Sequence, residues 1–427
     1  MLACLCVLIV YVADLVTHLQ AMTAMRDLVV YRNGGLIARH VSPLYDARRS
    51  SPLYDWTGQH GVHFTYAPFA AVIFAVASVL PWTALRALIT IASVAALAAS
   101  AWLTFGALGY RRDRVRAGAA LLVTAVAFCT DPVQDTLVLG QVNLLLMLLI
   151  IADLCQRGDP GGQRWWKGAG IGIAAGIKLV PLIFIPYLVL TRRFRQAAVA
   201  SGTFCATVAL GFAVMPRDST YYWVDRLFLQ ANRIVFPGTR GNQSLRGIIT
   251  RFAGSVAGSA SPWLVAAAAV AVAGLACAVM LERAGHPVPG MLACALTGLL
   301  VSPLSWDHHW VWIVPALVLL ADLAVRARGQ ARAAWWLSAA ALAAVFGAWP
   351  QFWVSNAALV PSSLISLGPG TYFATGDHPR FREYHWHGLQ LIGGNSYVLA
   401  GLAGLAVLAV AALRARRAPP LMPHDRG

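Results

Sequence analysis

Long apolar segments alternate with short polar ones along most of this chain. Four of the apolar segments, Leu2 to Leu19, Ala84 to Leu108, Trp263 to Leu281 and Val311 to Leu323, approach or reach the length of a membrane helix, about 20 residues for a hydrocarbon core roughly 30 Å thick. A helix pairs all of its backbone polar groups internally, as lipid requires. The pattern therefore predicts an all-α polytopic membrane protein with about 12 membrane segments.

Three segments need separate interpretation. The first apolar run has no basic flank and no small-residue cleavage site before Asp27, so it is predicted to be a retained membrane helix rather than a cleaved signal peptide. Thr65 to Leu80 is too short for a full span and is predicted to be re-entrant or interfacial. Gly168 to Leu190 has basic residues at both ends, which favours a broken hairpin with Ile177 to Pro181 at its tip over a single crossing.

Composition agrees with this pattern. The 427 residues are 59% hydrophobic and 12% charged, with a mean hydropathy of +0.64, whereas soluble domains contain about 25% charged residues. No soluble domain of useful size remains between the apolar segments. The sequence predicts one transmembrane domain over residues 1–417 and a disordered cytoplasmic tail over residues 418–427.

The net charge of +16 is distributed as a topology signal. Short basic clusters flank apolar segments at residues 111–116, 157–167, 192–195, 282–286, 326–332 and 414–417. The positive-inside rule assigns them, and both termini, to the cytoplasm, which argues against nucleic acid as a partner. The outer loops are then residues 26–63, 131–141, 216–261, 303–309 and 350–394. A site facing the extracytoplasmic side of the plasma membrane is predicted.

The segment from Ser302 to Trp310 concentrates polar chemistry between two apolar segments. A charged side chain at a membrane-helix centre costs about 2.5 to 3.5 kcal/mol on insertion scales, so such groups usually mark function. Asp307, His308 and His309 are consecutive, and no further ligand stands at a spacing typical of a zinc site, so no metal is predicted. Hydrogen bonding to a phosphate is the predicted use, and a buried structural histidine is the alternative.

Asp27 and Lys178 are the two other ionisable candidates. Asp27 directly follows the first apolar run, where a carboxylate could accept a proton at the rim of a membrane cavity; pairing with Arg26 is the alternative. Lys178 is one of two lysines in a chain that otherwise uses arginine. A buried ammonium needs an anionic partner such as a lipid phosphate, unless it snorkels to the interface.

Amide side chains form two further candidate groups. Gln141 and Asn143 begin an apolar segment, where their amides could bind sugar hydroxyls or, alternatively, cap and join helices. Asn242 and Gln243, with Arg246, offer amide and guanidinium donors suited to a sugar or a lipid phosphate. Loop solubility is the alternative for this second group.

Six short motifs, taken in order over residues 27–312, resemble the polyprenol-phosphate-mannose-dependent α-(1→2)-mannosyltransferases of mycobacterial-type envelopes. Each motif alone is short, and the order makes the resemblance specific. The motifs are Asp27 to Tyr31, Phe64 to Phe69, Gly140 to Asn143, Gly176 to Pro181, Asn242 to Ser244 and Ser302 to Trp312.

The resemblance implies a C-type glycosyltransferase (GT-C) fold and an integral membrane enzyme. Such an enzyme takes mannose from polyprenyl-phosphate-mannose on the extracytoplasmic face, with phosphatidylinositol mannoside, lipomannan or lipoarabinomannan as acceptor. It needs no nucleotide sugar, and no cofactor is predicted. The competing hypothesis is a polytopic lipid or sugar transporter or flippase, which polar residues between spans would also suit.

The resemblance also implies roles for individual residues, with Asp27 as the catalytic base of an inverting transfer. The predicted donor-phosphate residues are Lys178, His308, His309 and Arg246. The predicted sugar or acceptor residues are Tyr31, Gln141, Asn143, Asn242, Gln243, Trp306 and Asp307. Two positions depart from the usual family pattern, Ala67 and Asp307, and the second changes the local charge.

Overall fold

A computed structural model describes residues 25–40, 43–45, 64–111, 113–155, 164–230, 237–348, 383 and 386–417. Within these ranges the chain forms helices and no strand, which confirms the all-α prediction. The helices are α1 Arg26–Arg39, α2 Pro68–Ala77, α3 Trp82–Ala107, α4 Arg114–Phe128, α5 Asp131–Leu139, α6 Asn143–Cys155, α7 Ala169–Ile177, α8 Phe184–Leu190, α9 Phe194–Val214, α10 Pro216–Ser219, α11 Leu245–Ala253, α12 Val256–Arg283, α13 Pro287–Val301, α14 Ile313–Arg326, α15 Gly329–Gly347, α16 Leu389–Gly394 and α17 Ser396–Arg417.

Five helical segments in the described ranges are long and apolar enough to cross a membrane, or six if the bent pair α4 and α5 forms one span. The five are α3, α9, α12, α17 and the continuous helical run of residues 307–326, which ends in α14. The count of about 12 segments and the GT-C fold stay predictions. The first apolar run and the C-terminal tail lie outside the described residues.

Helices occupy several stretches that sequence polarity assigned to outer loops, among them three with buried polar side chains. Residues 26–39, 131–139 and 245–253 form α1, α5 and α11. Polarity failed as a guide because these helices place their polar side chains against other protein groups: Tyr31 and Asp131, for example, are almost fully buried. These stretches are therefore helical, and their location on the outer side stays a prediction.

Two adjacent glycines let α1 pack closely on α2 and on Phe64, which precedes α2. A Cβ atom added to Gly35 would lie 2.2 Å from the backbone oxygen of Phe74, and one added to Gly34 would lie 2.4 Å from the ring of Phe64. Tyr31, one turn earlier in α1, stacks on the Phe74 ring with centroids 4.3 Å apart. This contact fixes the position of the first turn of α1, which carries Asp27.

The segment from Gly168 to Leu190 forms the predicted broken hairpin. Helix α7 ends at Ile177, and a 3₁₀ turn over Val180–Ile183 leads into α8. At one end of the hairpin Gly168 packs against the first turn of α9, and Tyr187 donates a 2.8 Å hydrogen bond to Glu282. Arg193, also at the start of α9, pairs with the same Glu282. Both arms therefore start from one end, and Lys178 lies at the opposite tip.

Residues of three predicted cytoplasmic clusters lie at the end of the bundle that holds Glu282. Arg283 donates to the backbone oxygen of Leu190 and Arg326 to that of Leu108. Arg326 ends the helical run that begins at Asp307, and 20 residues of helix span about 30 Å. The basic ends and the Asp307 region therefore lie on opposite sides of the bundle.

The close approach of α1 and α2 gives a stability prediction. We expect Gly35→Ala to lower the thermal midpoint in detergent, with a cost of about 1 to 3 kcal/mol, because the added methyl group meets backbone that cannot rotate away. Gly118→Ala in α4 is the matched control, since a Cβ at Gly118 meets nothing within 4 Å. Equal midpoints for the two variants would contradict the tight contact.

Candidate active site

Asp27 lies in the first turn of α1, half-buried. The free backbone N–H groups and the dipole of a helix favour negative charge at this end. The carboxylate also accepts a short hydrogen bond from the side-chain amide of Gln141. An ionised carboxylate at this position is therefore stabilised by the helix and by one neutral donor.

Gln141 joins the groups of the site. Its Nε2 donates to Asp27, and its Oε1 accepts from the hydroxyl of Tyr31 at 2.5 Å and from the ammonium of Lys178 at 3.0 Å. Gly140 makes this possible: it ends α5 with a left-handed conformation, φ 69°, and a Cβ there would meet Leu28 at 2.6 Å. Glycine alone accepts both conditions at low cost.

Tyr66 belongs to the site, although no role was predicted for it. Its hydroxyl oxygen lies 2.9 Å from that of Tyr31, to which it can donate while Tyr31 donates to Gln141, and it is 3.2 Å from Gln141 Nε2. Burial, with smaller effects from neighbouring groups such as Asp27, raises the pKa of Tyr31 and of Tyr66, so both hydroxyls stay protonated. The available signal was its place within the Phe64 to Phe69 motif.

Lys178 lies at the break between the two arms of the hairpin, in extended conformation. Pro181 follows within the 3₁₀ turn and cannot donate the backbone hydrogen bond that would continue α7. The ammonium donates to Asn143 Oδ1 at 2.6 Å as well as to Gln141, and lies 3.4 Å from His309 Nε2. Burial lowers the pKa of Lys178 to about 7, an effect that Asp27 partly opposes.

Backbone pairing holds the segment with Asp307, His308 and His309 in place. Asn242 and Trp306 form an antiparallel bridge, and the N–H of Asp307 donates to the oxygen of Gly241 at 3.1 Å. The oxygen of His308 accepts a 2.7 Å hydrogen bond from Asn143 Nδ2. Asn143 thus connects the histidine segment with Lys178.

His308, Asp307 and Asp135 form a second ionisable cluster beside the first. One ligand atom from each lies within 4.8 Å of the others. His308 is 5% exposed, and its ring is nearly parallel to that of Trp306, with centroids 6.1 Å apart. Asp135 lies within residues 131–141, which were predicted to form an outer loop. The two residues are far apart in the sequence, so sequence alone does not predict that Asp135 lies next to Asp307.

The remaining predicted residues lie just before α11 and in its first turn. Asn242 and Gln243 are fully buried and their amides bond backbone groups, for example Gln243 Nε2 to Gly394 at 2.8 Å. Arg246 lies over the ring of Trp263, 4.9 Å from its centroid. In this structure Asn242 and Gln243 hold the loop. Sugar binding by Asn242 and Gln243 and phosphate binding by Arg246 stay predictions.

The geometry combines a carboxylate with an ammonium and two imidazoles, all partly or fully shielded from water. A carboxylate in this setting suits proton abstraction. An ammonium with neutral hydrogen-bonding neighbours suits the binding of an anion or of a leaving group that becomes one. The arrangement fits a group transfer in which one partner loses a proton and the other leaves as an anion.

Comparison with known proteins agrees with this chemistry. Residues 64–303 match the profile of Glycosyltransferase family 87. A Mycobacterium tuberculosis protein named polyprenol-phosphate-mannose-dependent alpha-(1-2)-phosphatidylinositol pentamannoside mannosyltransferase is 36% identical over 311 residues, 73% of this chain and 69% of the relative. A Mycolicibacterium smegmatis protein of the same name is 33% identical over 73% of this chain and 72% of its own length.

A further Mycobacterium tuberculosis protein, named polyprenol-phosphate-mannose-dependent alpha-(1-2)-phosphatidylinositol mannoside mannosyltransferase, is 31% identical over 72% of each chain. No solved structure matches this chain. The family profile begins at Phe64, so it covers Tyr66, Gln141 and Lys178 and leaves Asp27 and the histidines outside its range.

The buried ammonium gives a pH-dependent stability prediction. Lys178 lies outside the five helices able to cross a membrane, and its pKa is about 7 in the folded chain against 10.5 ordinarily. Between these values the unfolded chain carries a proton that the folded chain lacks, so stability rises with pH from about 7 towards 10 and is unaffected by this group well below pH 7, where both states carry the proton. We expect the thermal midpoint of Lys178→Met in detergent to rise less over this window than that of the wild type. Identical slopes would contradict the shift.

Proposed function

We propose a donor, an acceptor class and a catalytic base for this chain on one premise: it belongs to glycosyltransferase family 87 and is a membrane glycosyltransferase. The proposed reaction transfers mannose from polyprenyl-phosphate-mannose to a phosphatidylinositol mannoside or a related lipoglycan, lipomannan or lipoarabinomannan, in α-(1→2) linkage. The names of the three mycobacterial relatives support the donor and the acceptor class.

The observation that carries the mechanism is the hydrogen bond from Gln141 to Asp27. It orients a carboxylate at the end of a helix, beside a buried cation. Asp27 takes the proton of the acceptor hydroxyl as the hydroxyl oxygen attacks the anomeric carbon of the donor mannose. The bond from that carbon to the phosphate oxygen breaks with its electron pair, so one base suffices and a β-linked donor gives an α product.

Lys178 binds the donor phosphate. The leaving lipid phosphate is already an anion, so it needs charge stabilisation more than a proton. Among the described residues, the partners of Lys178 within hydrogen-bond distance are the neutral groups of Gln141, Asn143 and His309, and an anion would supply the missing charge. His309 and His308 border the same space.

The site faces the extracytoplasmic side in this proposal. Arg193, Arg283 and Arg326 gather at one end of the bundle, about 30 Å along the helix from Asp307. Basic residues at membrane-helix ends favour the cytoplasm. A lipid-linked sugar donor suits the opposite side, where nucleotide sugars are absent.

A transporter or flippase is not favoured. Its substrate path would require polar residues accessible from both ends of the bundle. The site residues gather at the end away from Glu282, and the three relatives described above are all named as transferases.

Replacement of the base tests the mechanism. We expect purified Asp27→Asn to lose about 10³-fold or more in mannose transfer from polyprenyl-phosphate-mannose to a phosphatidylinositol mannoside, because the amide cannot take the proton. Mass spectrometry of the acceptor lipid would measure the added hexose. Asp225→Asn, at an exposed position, is the matched control and should retain activity.

The possible outcomes test three claims separately: the identity of the base, the identity of the acceptor and the assignment as a transferase. Full activity of a folded Asp27→Asn variant would show that Asp27 is not the catalytic base. No product from the wild type with a phosphatidylinositol mannoside, but product with lipomannan, would change the acceptor. No transfer to any of these acceptors, with movement of labelled donor across vesicles, would favour the transporter.

Replacement of the cation tests the phosphate site. We expect Lys178→Gln to lower kcat/KM for the donor by about 10² to 10³-fold, as removal of an electrostatic partner of a leaving anion usually does. Lys178→Arg keeps the charge and should recover part of the loss. Steady-state kinetics at varied donor concentration provide the measurement, and equal losses in both variants would contradict a role for the charge.

A further inference from the structure

His308 is buried without hydrogen-bond partners for its ring. It is 5% exposed, and among the described residues neither ring nitrogen has a hydrogen-bond partner. Its Nδ1 lies 3.2 Å from Asp307 Oδ1, at an angle that makes no hydrogen bond, and that oxygen accepts instead from the backbone N–H of His308 at 2.9 Å. A buried imidazole whose ring nitrogens lack partners lowers the stability of the fold unless a bound ligand or water satisfies those nitrogens.

Negative charge accumulates beside the same ring. The carboxylates of Asp307, Asp131 and Asp27 all act electrostatically on that of Asp135. Nor does the structure give the Asp135 carboxylate a hydrogen-bond donor within the described ranges. Asp131 differs, because it accepts from Tyr397 at 2.7 Å. Two carboxylates at short range in a sheltered site call for a proton or a cation between them.

The spacing favours a cation. The ligand atoms of Asp135, Asp307 and His308 lie within 4.8 Å of one another. Bonds of about 2.1 to 2.5 Å from a divalent ion to its ligands put opposite ligand atoms about 4.2 to 5 Å apart. One ion therefore fits among the three groups with little movement.

We propose that Asp135, Asp307 and His308 bind a divalent metal ion. Two carboxylates and one imidazole suit an ion that accepts both oxygen and nitrogen, such as Mn²⁺. Three protein ligands leave open coordination positions for water or substrate oxygen. Adjacent His and Asp residues alone gave no such site in the sequence, because the third ligand comes from α5.

Hydrogen bonds to the backbone of Asp307 and His308 hold these two ligands in place. The oxygen of His308 accepts from Asn143 Nδ2, and the N–H of Asp307 donates to Gly241, so both residues are held from outside the cluster. Supporting contacts of this kind fix metal ligands in place before the ion arrives. Asp135 is carried by α5, whose end at Gly140 also positions Gln141.

The ion would lie next to the phosphate-binding residues. Asn143 bonds both the His308 oxygen and the Lys178 ammonium, and the rings of His308 and His309 contact edge to face with centroids 4.9 Å apart. A metal ion there would accept an oxygen of the donor phosphate and stabilise the leaving anion. This role rests on the proposed function, whereas binding of the ion does not.

Manganese titration of the purified full-length chain in detergent tests the site without any transfer reaction. Electron paramagnetic resonance of free Mn²⁺ would count the bound ions. We expect one site per wild-type chain, with affinity lowered about 10-fold or more in Asp135→Asn and in Asp307→Asn. Nitrogen coupling to the bound Mn²⁺ should be present in the wild type and absent in His308→Gln.

Asp113→Asn is the matched control, because Asp113 is exposed and caps α4 at the basic end; its Mn²⁺ affinity should equal that of the wild type. No stoichiometric Mn²⁺ binding by wild type that keeps its thermal transition, or equal affinity in all four variants, would overturn the site. Stoichiometric binding together with transfer that survives chelation would keep the site and reject its action on the phosphate. Loss of transfer in Asp27→Asn is independent of either result.

Discussion

A neutral amide between two opposite charges is the interaction on which this site depends. In a site sheltered from water, a carboxylate and an ammonium in direct contact would neutralise each other as a buried ion pair. Gln141 stands between Asp27 and Lys178, donating to one and accepting from the other. Each charge is thereby hydrogen-bonded and still available to a substrate. The tyrosine hydroxyls of Tyr31 and Tyr66 add neutral partners to the same network.

Three local backbone features bring these groups to one point. The glycine contact between α1 and α2 fixes the position of Asp27, the left-handed Gly140 turns Gln141 towards it, and the break before Pro181 leaves Lys178 at a hairpin tip. Each feature is encoded within a few residues of the side chain it positions. The long membrane helices contribute mainly by holding these short elements at one end of the bundle.

The sequence predicted the all-α class, the hairpin tip and residues that the structure assembles around Gln141, because hydropathy and charge are local properties. It failed where pairing between distant segments decides the result. Tyr66 and Asp135 gain their importance from Tyr31 and Asp307, which lie far away in the chain. Polarity also mistook α1, α5 and α11 for loops, since a polar helix can bury its side chains against protein as well as expose them to water.

The burial of Lys178 makes anion binding and protonation a single thermodynamic event. An ammonium with a pKa near 7 is close to half-charged in neutral solution, and an anion that prefers the charged form draws a proton from the medium as it binds. By reciprocity, a lower pH on the side that the hairpin tip faces would strengthen the binding of an anion. Lys178 therefore couples the affinity for an anion at the tip to the proton concentration on that side.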